Sequence, residues 1–228
     1  MRRNRYKYEK NRNIDTLISE TNTLVHELNI WFKQNKLKLN ASKTNLIGFS
    51  TKNCNNKFLN SEITCDDQQI PFTDHTKVLG VLVDKNLNWS NHIDSLCKRL
   101  SKLVFALYIL KNNVDPNVLK TVYFAHFHSC LSYGIEIWGH APEYLFNRVF
   151  KLQKKALRII TNLQPRASCR ELKLFQQERI LPLPALYVAQ VLIFFKKNPQ
   201  YFQSCMFTQL QDFISSLTMK LEIKTNCY

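Results

Sequence analysis

The apolar residues of this 228-residue chain change their spacing twice, and that change limits the folds open to it. Ile14, Leu17, Ile18, Thr21, Val25, Leu28 and Phe32 recur every three or four residues and form one stripe, widened by Leu24 and Trp31. That is the period of an amphipathic helix. Asn35 offers a stop, because Asn tolerates the left-handed conformation. The period then drops to two. Leu46 to Phe49, Ile63 to Cys65, Gln68 to Ile70 and the β-prone run Val78 to Val83 predict short strands, with a tight turn at Asp66-Asp67.

After Asp84 the helical period returns. Ser90 or Asn91 suits a cap, and Ile93, Leu96, Cys97, Leu100, Leu103, Val104, Leu107 and Leu110 mark a buried face. Asp115-Pro116 is a start signal, a capping carboxylate followed by Pro at the first helical position. Val118, Leu119, Val122, Tyr123, His126, Phe127 and Cys130 follow at helical spacing. Further helices are predicted over 143–161 and 184–197. The pattern is α+β. It divides into a basic segment 1–13, a mixed part 14–84, a helical bundle 85–200 and a weakly patterned tail 201–228.

Charge narrows the function. Lys and Arg number 32 against 17 Asp and Glu, a formal net charge of +15. Such an excess, with both signs present, suits a polyanionic partner: nucleic acid first, an anionic membrane surface second. Arg2, Arg3, Arg5, Lys7, Lys10 and Arg12 make the start of the chain either a solvated terminus or a phosphate-binding arm. The seven cysteines include no Cys-x-x-Cys pair, which argues against a zinc site. Their odd number, with no signal-peptide pattern, predicts free thiols and an intracellular protein. The longest apolar stretch, Ile180 to Phe195, is broken by Pro182, Pro184 and Gln190. A membrane span needs about 20 apolar residues, so a buried helix is expected there and no membrane crossing.

The helix over 143–161 carries the best physical signal. Leu145, Val149, Leu152, Ala156 and Ile159 form its apolar face. Arg148, Lys151, Lys155 and Arg158 lie on another face at steps of three and four, with Glu143 the only acid nearby. Four cations on one face bind phosphate without reading bases. The plainer reading is a solvated basic face. His126 and His128, two apart on a helix, point to different faces and make a poor metal pair.

Ordered motifs say more. Trp31-Phe32, Asn35, Leu37, Leu39-Asn40, Lys43-Thr44 and Phe49 lead into a strand. Lys77-Val78-Leu79-Gly80-Val81, Asp84, Leu87, Trp89 and His92 follow. Then come Leu131-x-Tyr133-Gly134, Trp138-Gly139, Leu152-Gln153-Lys154-Lys155-Ala156 and Arg158-Ile159-Ile160. Each is weak alone. In this order they resemble the reverse transcriptases of non-LTR (LINE-type) retrotransposons, the jockey-like branch especially, over residues 14–185.

The resemblance implies a fold and roles. The first part would be the end of a polymerase palm, and the helices after Asp84 an all-α thumb. Lys43 matches a palm lysine that serves as candidate proton donor to the departing pyrophosphate. Leu79-Gly80 matches the primer grip, the hairpin that holds the primer end. RNA and DNA, as a primer–template duplex, are the implied partners.

Polymerase chemistry uses paired carboxylates that hold two divalent metals. The family holds Mg2+ through an aromatic-x-Asp-Asp motif and an earlier Asp, upstream of the helix at Ile14. No such pair precedes Asp15 here. Asp66-Asp67 follows the Lys43 block and has Thr64 where the aromatic residue would stand, so it reads as a turn. Asp84 reads as structural. The expectation is therefore a truncated polymerase segment that holds no cofactor, binds nucleic acid, and makes no DNA without the upstream palm and fingers. The rival reading is a co-opted, non-enzymatic basic nucleic-acid-binding helical protein. A self-contained fold favours the rival, and an uncovered apolar palm face favours the segment.

Overall fold

The computed structural model describes residues 14–49, 62–66, 68–164 and 173–199. The basic segment 1–13 with its expected phosphate-binding arm, Asp67, the tail 201–228 and Cys54, Cys169, Cys205 and Cys227 lie outside the described residues. The fold is α+β, in two compact units, residues 1–92 and 93–228.

The first unit opens with α1, Ile14–Gln34. Its end corrects the sequence reading in one detail. Lys36, not Asn35, takes the left-handed conformation, with φ 55°. Asn35 instead caps the last turn, its Nδ2 donating to the Trp31 carbonyl at 2.8 Å. The Leu37 N–H reaches back to the Phe32 carbonyl at 2.8 Å and the Lys36 N–H to Lys33 at 3.0 Å, closing the helix in a Schellman arrangement.

The expected strand Leu46–Phe49 does not form. Leu46 makes only an isolated parallel bridge with Phe72, through bonds to Pro71 and Thr73. One bridge is too little pairing to extend a strand along the following residues. The next expectation holds: β1, Thr64–Cys65, pairs antiparallel with β2, Gln68–Gln69, across a turn in which Asp66 has φ 47°. The run Val78–Val83 is not one strand. The chain reverses within it, and β3, His75–Val78, pairs with β4, Val81–Asp84, in register Val78 to Val81. Both loop residues are left-handed, Leu79 at φ 48° and Gly80 at φ 95°. Two successive positive φ values match the right-handed twist of the flanking strands, which is why two-residue hairpins use them. Val25, Ala41, Ile63, Cys65 and Ile70 make the small core of this unit, with Leu39, Leu46 and Phe72 packed against it.

The boundary between the units falls in the first turn of α2, Ser90–Leu110. Ile93, Leu96, Leu100 and Leu107 are buried along it. Asp115 caps α3, Pro116–Val122, by accepting from the Asn117 N–H at 2.8 Å. The helix continues through a π-helical stretch, Tyr123–His128, into α4, Ser129–Ser132. Gly134, at φ 62°, turns the chain into α5, Ile135–Trp138. Helices α6, Glu143–Ile160, α7, Lys173–Gln177, and α8, Leu183–Lys197, complete the described part.

Three expectations about burial shift. On α2, Cys97, Leu103, Val104 and Leu110 of the expected buried face are only half-buried. On α6, Leu152 and Ile159 are only half-buried, while Gln153 is fully buried. The apolar run ending in α8 does not give a helix buried all round. Only Leu183 and Leu186 of α8 are buried, and Val188, Ile193 and Phe194 are exposed. A helix apolar on every side has more apolar face than one side of a bundle covers. No helix among the described residues is long and apolar enough to cross a membrane. Cys65, Cys97 and Cys130 are free thiols.

Candidate nucleic-acid interface

The candidate interface is built on α6. At about 100° per residue, Arg148, Lys151, Lys155 and Arg158 fall within one stripe, roughly opposite the buried Leu145, Val149, Gln153 and Ala156. The structure therefore brings these four cations onto one face, as their spacing predicts. Lys151 and Lys155 are exposed, and Arg158 is half-buried. Arg148 is tied down: its guanidinium meets the Asp94 carboxylate of α2 at 2.8 Å, with both side chains about half exposed. Lys154 belongs elsewhere, its ammonium lying 4.1 Å from the centre of the Phe150 ring.

Gln153 fixes the pose of α6. Its Nε2 donates to the Leu181 carbonyl at 2.8 Å, and its Oε1 accepts from the Leu183 N–H at 2.8 Å. A buried amide with both ends satisfied holds a helix in one register, because any slip leaves groups without partners. Nε2 also lies 3.4 Å from the Tyr123 hydroxyl. Burial pushes the Tyr123 phenol up to about 12, against the lowering effect of Gln153. The sequence places Gln153 in a motif without revealing this clamp.

An open groove of about 500 Å³ runs beside Arg148, lined also by Asp94, Cys97, Lys98, Ser101 and Lys102 of α2. Three cations against one carboxylate leave it basic. Lys98 and Lys102 were missed by the sequence reading. Their signal was a four-residue step on the side of α2 away from Ile93, Leu96 and Leu100, but only tertiary packing puts them beside Arg148. Burial pushes the Cys97 thiol up despite the nearby Arg148, so it is a poor nucleophile.

The other candidate residues lie in the first unit. Leu79 and Gly80 form the tip of the β3–β4 hairpin, and Leu79 is 66% exposed there. A left-handed Leu costs about 1–2 kcal/mol, so the tip holds an apolar side chain in an unfavourable conformation. Lys43 ends a 3₁₀ turn, Ala41–Lys43, and is exposed. Asn40 shapes that turn. Its Oδ1 accepts from the Lys43 N–H at 3.2 Å and from the Ser42 hydroxyl at 2.6 Å. Its carbonyl accepts from the Thr44 hydroxyl at 2.9 Å. The Asn-x-x-Lys-Thr motif thus sets the backbone that presents Lys43.

Asp84 and Asp66 each bind the chain around them. Asp84 gathers three backbone N–H groups, from Asn86 at 3.1 Å, Asn88 at 3.0 Å and Trp89 at 2.9 Å. That is how the Asp84, Leu87, Trp89 motif turns the chain into α2, with Leu87 and Trp89 both left-handed. Asp66 accepts from Lys33 and Asn29 of α1, each at 2.8 Å, and these bonds hold its carboxyl below the usual range. Trp138 is buried, and its Nε1 donates to the Tyr133 carbonyl at 3.1 Å. Gly139 leaves room for the Tyr187 ring of α8, which any Cβ there would strike. Among the described residues no three His, Cys, Asp or Glu side chains gather to hold a metal ion. The donor set among the described residues does not fit the two Mg2+ that the resemblance implies.

Part of the chain is similar in sequence to known proteins. The chain is 27% identical over 137 residues to the probable RNA-directed DNA polymerase from transposon X-element of Drosophila melanogaster, covering 59% of this chain and 15% of that protein. It is 29% identical over 136 residues to the probable RNA-directed DNA polymerase from transposon BS of the same organism, covering 58% and 15%. With the RNA-directed DNA polymerase from mobile element jockey it shares 26% over 161 residues, covering 68% and 16%. The chain thus matches about 15% of the length of these relatives. No family model and no solved structure matches it. The resemblance to jockey-like reverse transcriptases rests on these relatives as well as on the motifs.

Proposed function

We propose that this chain is the primer-grip and thumb segment of a mobile-element reverse transcriptase, and that it holds a primer–template duplex by its phosphates. The observation that carries the reading is the cation stripe of α6, Arg148, Lys151, Lys155 and Arg158, set opposite a buried face and continued by Lys98 and Lys102 across the groove. Phosphate contacts of this kind fix position and register without reading sequence, which suits a polymerase that must copy any template. The relatives are named as RNA-directed DNA polymerases, which makes RNA and DNA the duplex to expect.

The first unit has the complementary task. The left-handed Leu79-Gly80 tip would present an exposed Leu, beside a Gly with no side chain, to a primer end. Lys43, exposed on its 3₁₀ turn, would pass a proton to departing pyrophosphate once residues carrying the metal-binding aspartates complete the palm. By itself the chain binds and makes no DNA. The half-covered apolar stripe of α1 supports this reading over a self-contained binding protein, since a palm helix has a further surface to cover.

Binding of the 228-residue chain to an RNA–DNA duplex across a salt series tests this. Tight binding at low salt and a steep loss with added salt are expected. Lys151→Ala with Lys155→Ala should reduce the slope of log affinity against log salt by about 2, near one per phosphate contact. Absence of binding at low salt, or metal-dependent primer extension by the chain alone, overturns the proposal.

A further inference from the structure

The stripe of α2 that lines the groove does not end at Lys102. Asp94, Cys97, Lys98, Ser101 and Lys102 line the groove from that stripe. Steps of three and four residues carry that stripe onward to Phe105, Tyr108 and Ile109. These three are exposed, at 65%, 60% and 52%. Two aromatic rings and an Ile open to solvent beside a basic groove are not explained by the packing of α2, whose buried side is formed by Ile93, Leu96, Leu100 and Leu107. Duplex phosphates have no use for them either.

We propose that this end of α2 is a stacking platform for unpaired nucleotides, with bases on Phe105 and Tyr108 and phosphates at Lys98, Lys102 and Arg148. The proposal rests on the nucleic-acid reading above and adds a single-stranded ligand to it. Every base has a face to stack, so aromatic side chains next to cations bind single strands of any sequence. From Lys98 to Tyr108 the helix rises about 15 Å at 1.5 Å per residue. At 3.4 Å per stacked nucleotide that length serves about four nucleotides. Charge decides the occupant: the apolar residues follow, on the same stripe of α2, a groove lined by three cations and one carboxylate, so a polyanion with flat apolar faces suits them better than an apolar protein surface.

Phe105→Ala with Tyr108→Ala in the full chain is the test, read against a labelled oligothymidylate and against a blunt RNA–DNA duplex. The expected result is a loss of about tenfold or more on oligothymidylate, with the blunt duplex changed by less than about twofold. Phe105→Leu with Tyr108→Leu keeps apolar bulk and should lose as much. Phe105→Trp with Tyr108→Trp keeps the rings and should retain binding, which guards against a folding defect. Undiminished oligothymidylate binding by both ring-less variants overturns the platform, as does equal weakening on both probes. A loss confined to phosphatidylserine vesicles overturns it in favour of a lipid surface. If the unaltered chain binds the duplex and not oligothymidylate, the platform falls and the proposed function stands; if it binds neither, both fall.

Discussion

Helices α1 and α6 are both amphipathic in sequence, yet they end in different states. The 18 residues of α6 bury six side chains, Leu145, Val149, Gln153, Ala156, Leu157 and Ile160. The 21 residues of α1 bury only Val25 and Asn29 among the side chains described. Leu17, Ile18, Leu24, Leu28, Trp31 and Phe32 stay half-buried, and Ile30 is exposed. An apolar stripe draws its stability from what covers it. In the second unit neighbouring helices supply that cover. In the first, the small cluster around Val25, Ile63 and Ile70 covers only part of α1. The same sequence pattern therefore marks a closely covered face in one unit and, among the described residues, a half-covered stripe in the other.

Matched core deletions test this contrast most strongly. Ile135 and Ile63 are both fully buried. Ile135→Ala should cost about 4 kcal/mol, near the top of the range for such deletions, because a close-packed surround cannot relax into the gap. Ile63→Ala should cost about 2 kcal/mol, since a small cluster collapses more readily. Chemical denaturation of each variant beside the parent reads the difference. Equal losses would show that the two cores are equally rigid and would remove the contrast.

Proton linkage sharpens it further. Tyr123, buried in the second unit, has a phenol pushed up to about 12 from an ordinary 10. Between those values the unfolded state releases the proton while the folded state keeps it. The associated stability is thus fully present below pH 10 and is lost as pH rises toward 12, up to about 3 kcal/mol in all. Stability of Tyr123→Phe, followed over the same range, should fall less steeply than that of the parent. Matching slopes would mean the phenol is not held as the geometry implies.

What the sequence made legible follows from how local each cause is. Helices α1, α2, α3, α6 and α8 were readable because spacing and the Asp115-Pro116 cap act within a turn or two. The β1–β2 hairpin was readable from its Asp turn. The reversal at Leu79-Gly80 was implied by the resemblance to a primer-grip hairpin but hidden from propensity within a β-prone run, since Leu is no turn former and its left-handed conformation is imposed by pairing of Val78 with Val81. The α6 cations were readable as a stripe, whereas Lys98 and Lys102 join them only through the packing of α2 beside α6. Gln153 looked like one more polar residue in a basic motif. Its buried role depends on Leu181 and Leu183, about thirty residues away.

The smallest effect belongs to the first unit. Asp66 ties the β1–β2 turn to α1 through Lys33 and Asn29, and both bonds hold its carboxyl below the ordinary carboxylate range. The folded carboxyl then holds its charge more firmly than the unfolded one. Its contribution is present above the unfolded value and disappears as pH falls through the folded one. The Lys33 and Asp66 side chains are 59% and 47% exposed, so water and salt screen the pair and the effect is small. Asp66→Asn should flatten the acid limb of the first unit's stability slightly, and high salt should flatten it in the parent. Because α1 is otherwise half-covered, this one clamp should matter more to local opening than to the global midpoint. Amide exchange along α1 is therefore the sensitive readout, and exchange there that ignores both pH and Asp66→Asn would mean that the helix is held by its apolar stripe alone.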